Sequence, residues 1–161
     1  MRIVFRKISD EHHVLEVVRD DGTRESLDCE TRSYLVHDLL HLALESEARL
    51  DGGFWGSVSR GMKLGPEGAS YAAGDEMSVI ERVAGALSAL AKGRPADEMM
   101  AAFALHADAL GAPLPEWLTK DLVTRVEERM RRLTGRWRAT PYGGEMIIDW
   151  PLADARDQPR R

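Results

Sequence analysis

One cysteine, Cys29, among 161 residues excludes an internal disulfide. Long apolar runs are missing as well. None approaches the roughly 20 residues needed to cross a bilayer, and the start MRIVFRKISD is charged and alternating where a signal peptide would carry an apolar core. These absences point to a bacterial-type cytoplasmic location with no membrane partner. Basic excess is also lacking. The 27 acidic residues outnumber 22 Lys and Arg and leave a formal charge of -5, which opposes general attraction to nucleic acid or anionic lipid. There is no internal repeat and no low-complexity block. A domain of this length buries about 68 to 70% of its unfolded surface, enough for a core without a structural metal, so any metal would be optional to folding.

The pattern that is present changes period twice. Ile3, Phe5 and Ile8 form one alternating run and Val14 to Val18 a second, and Asp20-Asp21-Gly22-Thr23 supplies turn chemistry before a short third. This predicts an antiparallel meander. From Thr31 the period becomes helical and so apolar, through Leu35, Leu39, Leu40, Leu42 and Leu44, that the helix is expected to be central, ending at Gly52-Gly53. An ordered loop with one helical turn is expected for Phe54 to Gly68. Further helices are expected from Asp75 to Lys92, from Pro95 to about Leu110, and from Pro115 to Gly135. Trp137 and Ala139, then Met146, Ile148 and Trp150 around Pro141-Tyr142-Gly143-Gly144, predict a C-terminal hairpin. Isolated hairpins are marginal in water, so this one should join the meander. The expected architecture is a single α+β domain over residues 1–153, an antiparallel sheet packed on about four helices, with 154–161 a disordered tail.

The feature closest to chemistry is His37-Asp38-Leu39-Leu40-His41, followed by Glu45. Positions i, i+4 and i+8 stack on one helical face, and two imidazoles at that spacing can hold one transition metal with a carboxylate completing the shell. Zinc or another divalent ion is the implied cofactor, and no nucleotide cofactor is expected. Asp38 is suited to orienting an imidazole through its other ring nitrogen. His106, on the apolar stripe of a later helix, is the candidate ligand from outside the motif. His12 and His13 fall on a strand, where neighbours point to opposite faces. Tyr34 shares the motif's face, and Phe54 and Trp55 are candidates to line a pocket beside it. Two other readings of the stripe stay open: a solvent-facing row in which Glu45 pairs with His41 or Arg49, and a buried metal-free hydrogen-bond network.

The HDLLH segment resembles the HDxxH zinc motif of ubiquinone-biosynthesis proteins, in which the histidines and a glutamate farther along bind zinc. The position of that glutamate is Gly53 here, and Glu45 and Glu47 lie closer to the motif. Val36-His37-Asp38-Leu39 also looks like the His-Asp dipeptide of HD-type metal phosphohydrolases, which are all-helical and take a further histidine from an earlier helix. Over its length, through the N-terminal strands, the HDLLH helix and the GGFWG loop, the chain is similar to an uncharacterised bacterial family of unknown function. That resemblance implies a fold and no activity.

Other motifs say less. Gly56 to Lys63 imitates a P-loop, but no Ser or Thr follows the lysine and no strand precedes it. Arg129, Arg131, Arg132, Arg136 and Arg138 surround Trp137, as a nucleic-acid surface would require, yet arginines also favour a helix C-terminus. Whether the protein is an enzyme is left open by the sequence. It reads as a metal-binding α+β protein acting on a small molecule, or as a non-catalytic binding module, a homodimer included, with tryptophans as interface anchors.

Overall fold

The computed structural model describes residues 1–65, 76–88, 94–106 and 114–151, with backbone alone for 104–106. The expected N-cap Asp75, the helix ends near Lys92 and Leu110, and the tail 154–161 lie outside these residues. Strands β1 (Arg2–Lys7), β2 (His12–Val18) and β3 (Arg24–Glu30) form the meander. At the β2–β3 turn Asp21 accepts from the Thr23 N–H and hydroxyl at 2.9 and 2.7 Å, and Gly22 takes the positive φ of 86° that the reversal needs. Strand β4 (Glu145–Asp149) adds antiparallel to β1, giving the order β3-β2-β1-β4.

The register sets Met146, Phe5, Leu15 and Leu27 abreast on one face of the sheet. That face carries the core. The other face presents Arg2, Arg6, Glu16, Arg24, Glu145 and Asp149 in cross-strand ion pairs, which hold little stability in water but keep the face wet.

From β3 the chain passes through one π turn, Thr31–Leu35, into helix α1 (Val36–Ala48). This helix ends earlier than its glycines suggest, because Arg49 adopts the left-handed conformation at φ 55° and the Leu50 N–H returns to the Glu45 carbonyl. Helices α2 (Phe54–Ser59), α3 (Glu76–Leu87), α4 (Ala96–His106) and α5 (Lys120–Ala139) follow. Helix α1 packs against α2, α3 and α5 and is central.

Both ends of α5 also differ from the sequence expectation. Pro115 begins a turn, with the Leu118 N–H bonded to the Pro115 carbonyl, and α5 starts only after Thr119, whose hydroxyl accepts from the Leu122 N–H. At its other end α5 runs through Gly135 to Ala139. Leu122, Val126, Met130, Leu133 and Trp137 form one buried stripe, so burying the indole outweighs the roughly 1 kcal/mol that a mid-helix glycine costs. Trp137 and Ala139 are therefore helical, and the C-terminal contribution to the sheet is the single strand β4. The helix is fastened to α1 through Glu47, which takes Arg129 at 2.5 Å and Arg125 at 3.1 Å. Arg129 is thus buried in an ion pair, which removes it from any phosphate-facing row, and the exposed Arg131 pairs with Glu127.

Trp55, Trp137 and Trp150 are buried, and Trp117 packs partly buried against the core. Tryptophan serves packing here. Among the described residues no helix is long and apolar enough to cross a membrane.

Candidate metal centre

The face of α1 carrying the motif turns inward. The side chains of His41 and Glu45 have no solvent exposure and Asp38 keeps 10%, while His37 is half exposed at 49%. The row therefore runs from a half-exposed end at His37 into the interior at His41 and Glu45. What it meets differs for each residue.

Glu45 meets a helix end. Helix α2 starts at Phe54 after Gly53, whose lack of a side chain leaves the helix without a local cap. The Glu45 carboxylate reaches across from α1 and supplies it, accepting from the N–H groups of Phe54 at 2.9 Å, Trp55 at 3.0 Å and Gly56 at 3.4 Å. Its Oε1 also lies 3.0 Å from His41 Nδ1. Both oxygens are thereby engaged, so the expected ligand role of Glu45 gives way to capping and orienting. A Cβ at residue 53 would overlap this carboxylate, which has no freedom to retreat. Gly53→Ala is therefore expected to lower stability by about 1 to 3 kcal/mol, the usual cost of overpacking, measured by urea denaturation. An unchanged midpoint would show that the cap is not held this tightly.

His41 is left with one free direction. In the tautomer that donates its Nδ1 proton to Glu45, Nε2 carries the lone pair, and this buried atom makes no hydrogen bond of good geometry. It points toward Glu81 of α3, with Oε2 at 3.4 Å, and His37 Nε2 lies 3.5 Å from the same oxygen. The two imidazole rings are 4.6 Å apart. His37 repeats the pattern of His41, since its Nδ1 faces the Asp38 carboxylate at 3.6 Å. Ligand atoms of His37, His41 and Glu81 all fall within 4.8 Å of one another, the one such group among the described residues.

The electrostatics follow from this crowding. Asp38 and then Glu81 hold the His37 pKa up to about 9, against a smaller opposing effect of burial. Burial acts most strongly on His41 and lowers it, yet Glu45 and Glu81 together leave it raised above the ordinary value. His37 and His41 pull Glu81 down to about 2.

The site opens on a cavity of about 550 Å³ lined by Tyr34, His37, Asp38, Phe54 and Glu81, with Leu15, Leu27, Cys29 and Leu64. Tyr34 and Phe54 thus line a pocket beside the histidines. Trp55 does not: it is buried behind, with its indole N–H donated to the Asp38 carbonyl at 3.1 Å, which fixes the backbone of α1 at the motif. Burial pushes the Cys29 thiol up to about 11, so it offers little thiolate at neutral pH.

The remaining histidines stand apart. His106 ends α4, which packs on α5, and its side chain lies outside the described residues. His12 is exposed on β2. His13 is buried against Phe5 and Trp137, and burial holds its pKa below the ordinary value. Glu81 is the residue that the sequence reading missed. Its signal was a carboxylate between Ile80 and Ala84, on the inner edge of the apolar stripe of α3. No family model matches the chain, and neither a curated protein nor a solved structure is similar to it.

Proposed function

We propose that the protein binds one divalent transition ion, with zinc the best match to a donor set of two imidazoles and a carboxylate. His37 and His41 would bind through Nε2 and Glu81 through its carboxylate. The observation that carries this reading is the buried His41 Nε2, which makes no hydrogen bond of good geometry and is aimed at Glu81 beside a second imidazole. An unsatisfied buried polar atom costs about 1 to 3 kcal/mol, and an ion between these groups removes that cost. The outer nitrogens support the same reading. Each Nδ1 faces a carboxylate, an arrangement that fixes the ring, keeps the proton on the outer atom and raises the basicity of the inner one.

Three protein ligands leave a coordination position for something else, as at zinc sites that work on a ligand. When bound, the ion supplies Lewis acidity to a group in the adjoining cavity. The chain's own residues do the remaining work: Glu45 accepts from His41 Nδ1 at 3.0 Å, Asp38 faces His37 Nδ1 at 3.6 Å, and Trp55 and the α2 cap cover the buried side. A metal-free cluster, in which Glu81 bridges two protonated imidazoles, is the competing reading favoured by the 3.4 and 3.5 Å separations.

Elemental analysis of protein purified without a polyhistidine tag decides between them. About one equivalent of metal is expected, with a rise in melting temperature on adding the ion to stripped protein and neither effect in His41→Ala. Metal-free protein that shows no thermal shift with Zn, Mn, Fe or Ni would leave the bridged cluster as the correct reading.

A further inference from the structure

Among the described residues, none that lines the 550 Å³ cavity is Lys or Arg. That volume lies within the range of about 300 to 1,000 Å³ used by small-molecule sites, so the lining chemistry selects the occupant. Leu15 and Cys29 are buried in it, and Leu27, Phe54 and Leu64 are half-buried. The charged residues are Asp28, Asp38 and Glu81 together with His37. Three carboxylates outnumber the two charges of a divalent ion. A phosphate or carboxylate would enter against that field; without the ion the one cation it would meet among the described lining residues is His37, which already faces the Asp38 and Glu81 carboxylates at 3.6 and 3.5 Å, so three carboxylates outweigh it.

We infer that the cavity takes a small apolar molecule bearing a neutral or cationic nitrogen or oxygen head, and that it discriminates against phosphorylated and carboxylated compounds. The apolar body fills the space against Leu15, Leu27, Phe54 and Leu64. The head lies at the His37 and Glu81 end, where coordination of the ion by a neutral head rests on the metal reading proposed above. Without the ion, Glu81 is shared with His37 and His41, and the selectivity rests on the apolar walls and on the excess of carboxylates in the lining. This selection runs against the substrates of HD-type phosphohydrolases, although the local dipeptide is shared.

The test compares three probes, imidazole, 4-phenylimidazole and phenyl phosphate, by titration calorimetry on cobalt-loaded and on metal-stripped protein. 4-Phenylimidazole is expected to bind at least about tenfold tighter than either of the others, a difference of about 1.4 kcal/mol. Leu27→Trp, which fills the cavity, should erase the advantage over imidazole. Leu64→Trp, on the loop after α2, should do the same if the strand substitution disturbs folding. Equal binding of imidazole and 4-phenylimidazole, or tighter binding of phenyl phosphate, overturns the inference in either metal state. Cobalt uptake is read separately from visible absorption of the same samples. The expected preference without cobalt uptake upholds the cavity inference and overturns the metal reading alone.

Discussion

Glu45→Ala is expected to destabilise the protein by about 3 to 5 kcal/mol, the range for removing one partner from a buried charged network. Most of the loss comes from what the carboxylate leaves behind. The N–H groups of Phe54, Trp55 and Gly56 and the Nδ1 of His41 lose their acceptor, and water cannot replace it at a residue with no exposure. For a chain of this size the melting temperature should fall by on the order of 10 °C. A solvent-facing i,i+4 pair would give only about 0.3 to 0.5 kcal/mol, so the magnitude distinguishes a cap from a surface contact. Glu45→Gln, which keeps the shape and one good acceptor, should recover part of the loss. Urea denaturation of the three proteins measures the series, and a Glu45→Ala change below about 1 kcal/mol would remove the carboxylate from its role as the cap.

The double duty of Glu45 explains why the site was only half legible in the sequence. Helical spacing is a local property, so the shared face of His37, Asp38 and His41 could be read from five residues. Spacing says nothing about what a side chain meets. A carboxylate one turn after His41 is equally a ligand or a cap until the fold brings the Gly53–Phe54 segment back over α1. Glu81 was harder still, because its role depends on how α3 packs on α1, and no motif connects helices so far apart in the chain. The fold shows the same division. The meander and the apolar helices follow from local period and turn chemistry, whereas the end of α5 was misplaced because Gly135 looks like a stop. Only the buried stripe from Leu133 to Trp137 shows why the helix continues.

Glu81→Gln tests the metal reading with the side-chain shape kept, at a residue that is a quarter exposed. Loss of a direct anionic ligand should weaken metal binding by at least about 100-fold, beyond the 10- to 100-fold typical of residues that act through a ligand. The pH dependence gives an independent sign. In the metal-free protein His37 is raised from 6.5 to about 9 by Asp38 and Glu81; its contribution to stability is fully present below 6.5 and is lost as pH rises through 9. Glu81, lowered from 4.5 to about 2 chiefly by His37 and then His41, contributes above 4.5 and loses its share as pH falls through 2. The cluster without metal therefore stabilises most between those ordinary values, and the metal-free protein should melt at progressively lower temperature from pH 6.5 to 9. Metal reverses the slope. An ion must displace protons from His37 and His41, so the melting increment from chelator-buffered zinc should grow over the same interval. Glu81→Gln should shrink the metal-free slope and remove the zinc increment together. A zinc increment that is independent of pH, or equal in wild type and Glu81→Gln, would place the ion somewhere other than between these two histidines.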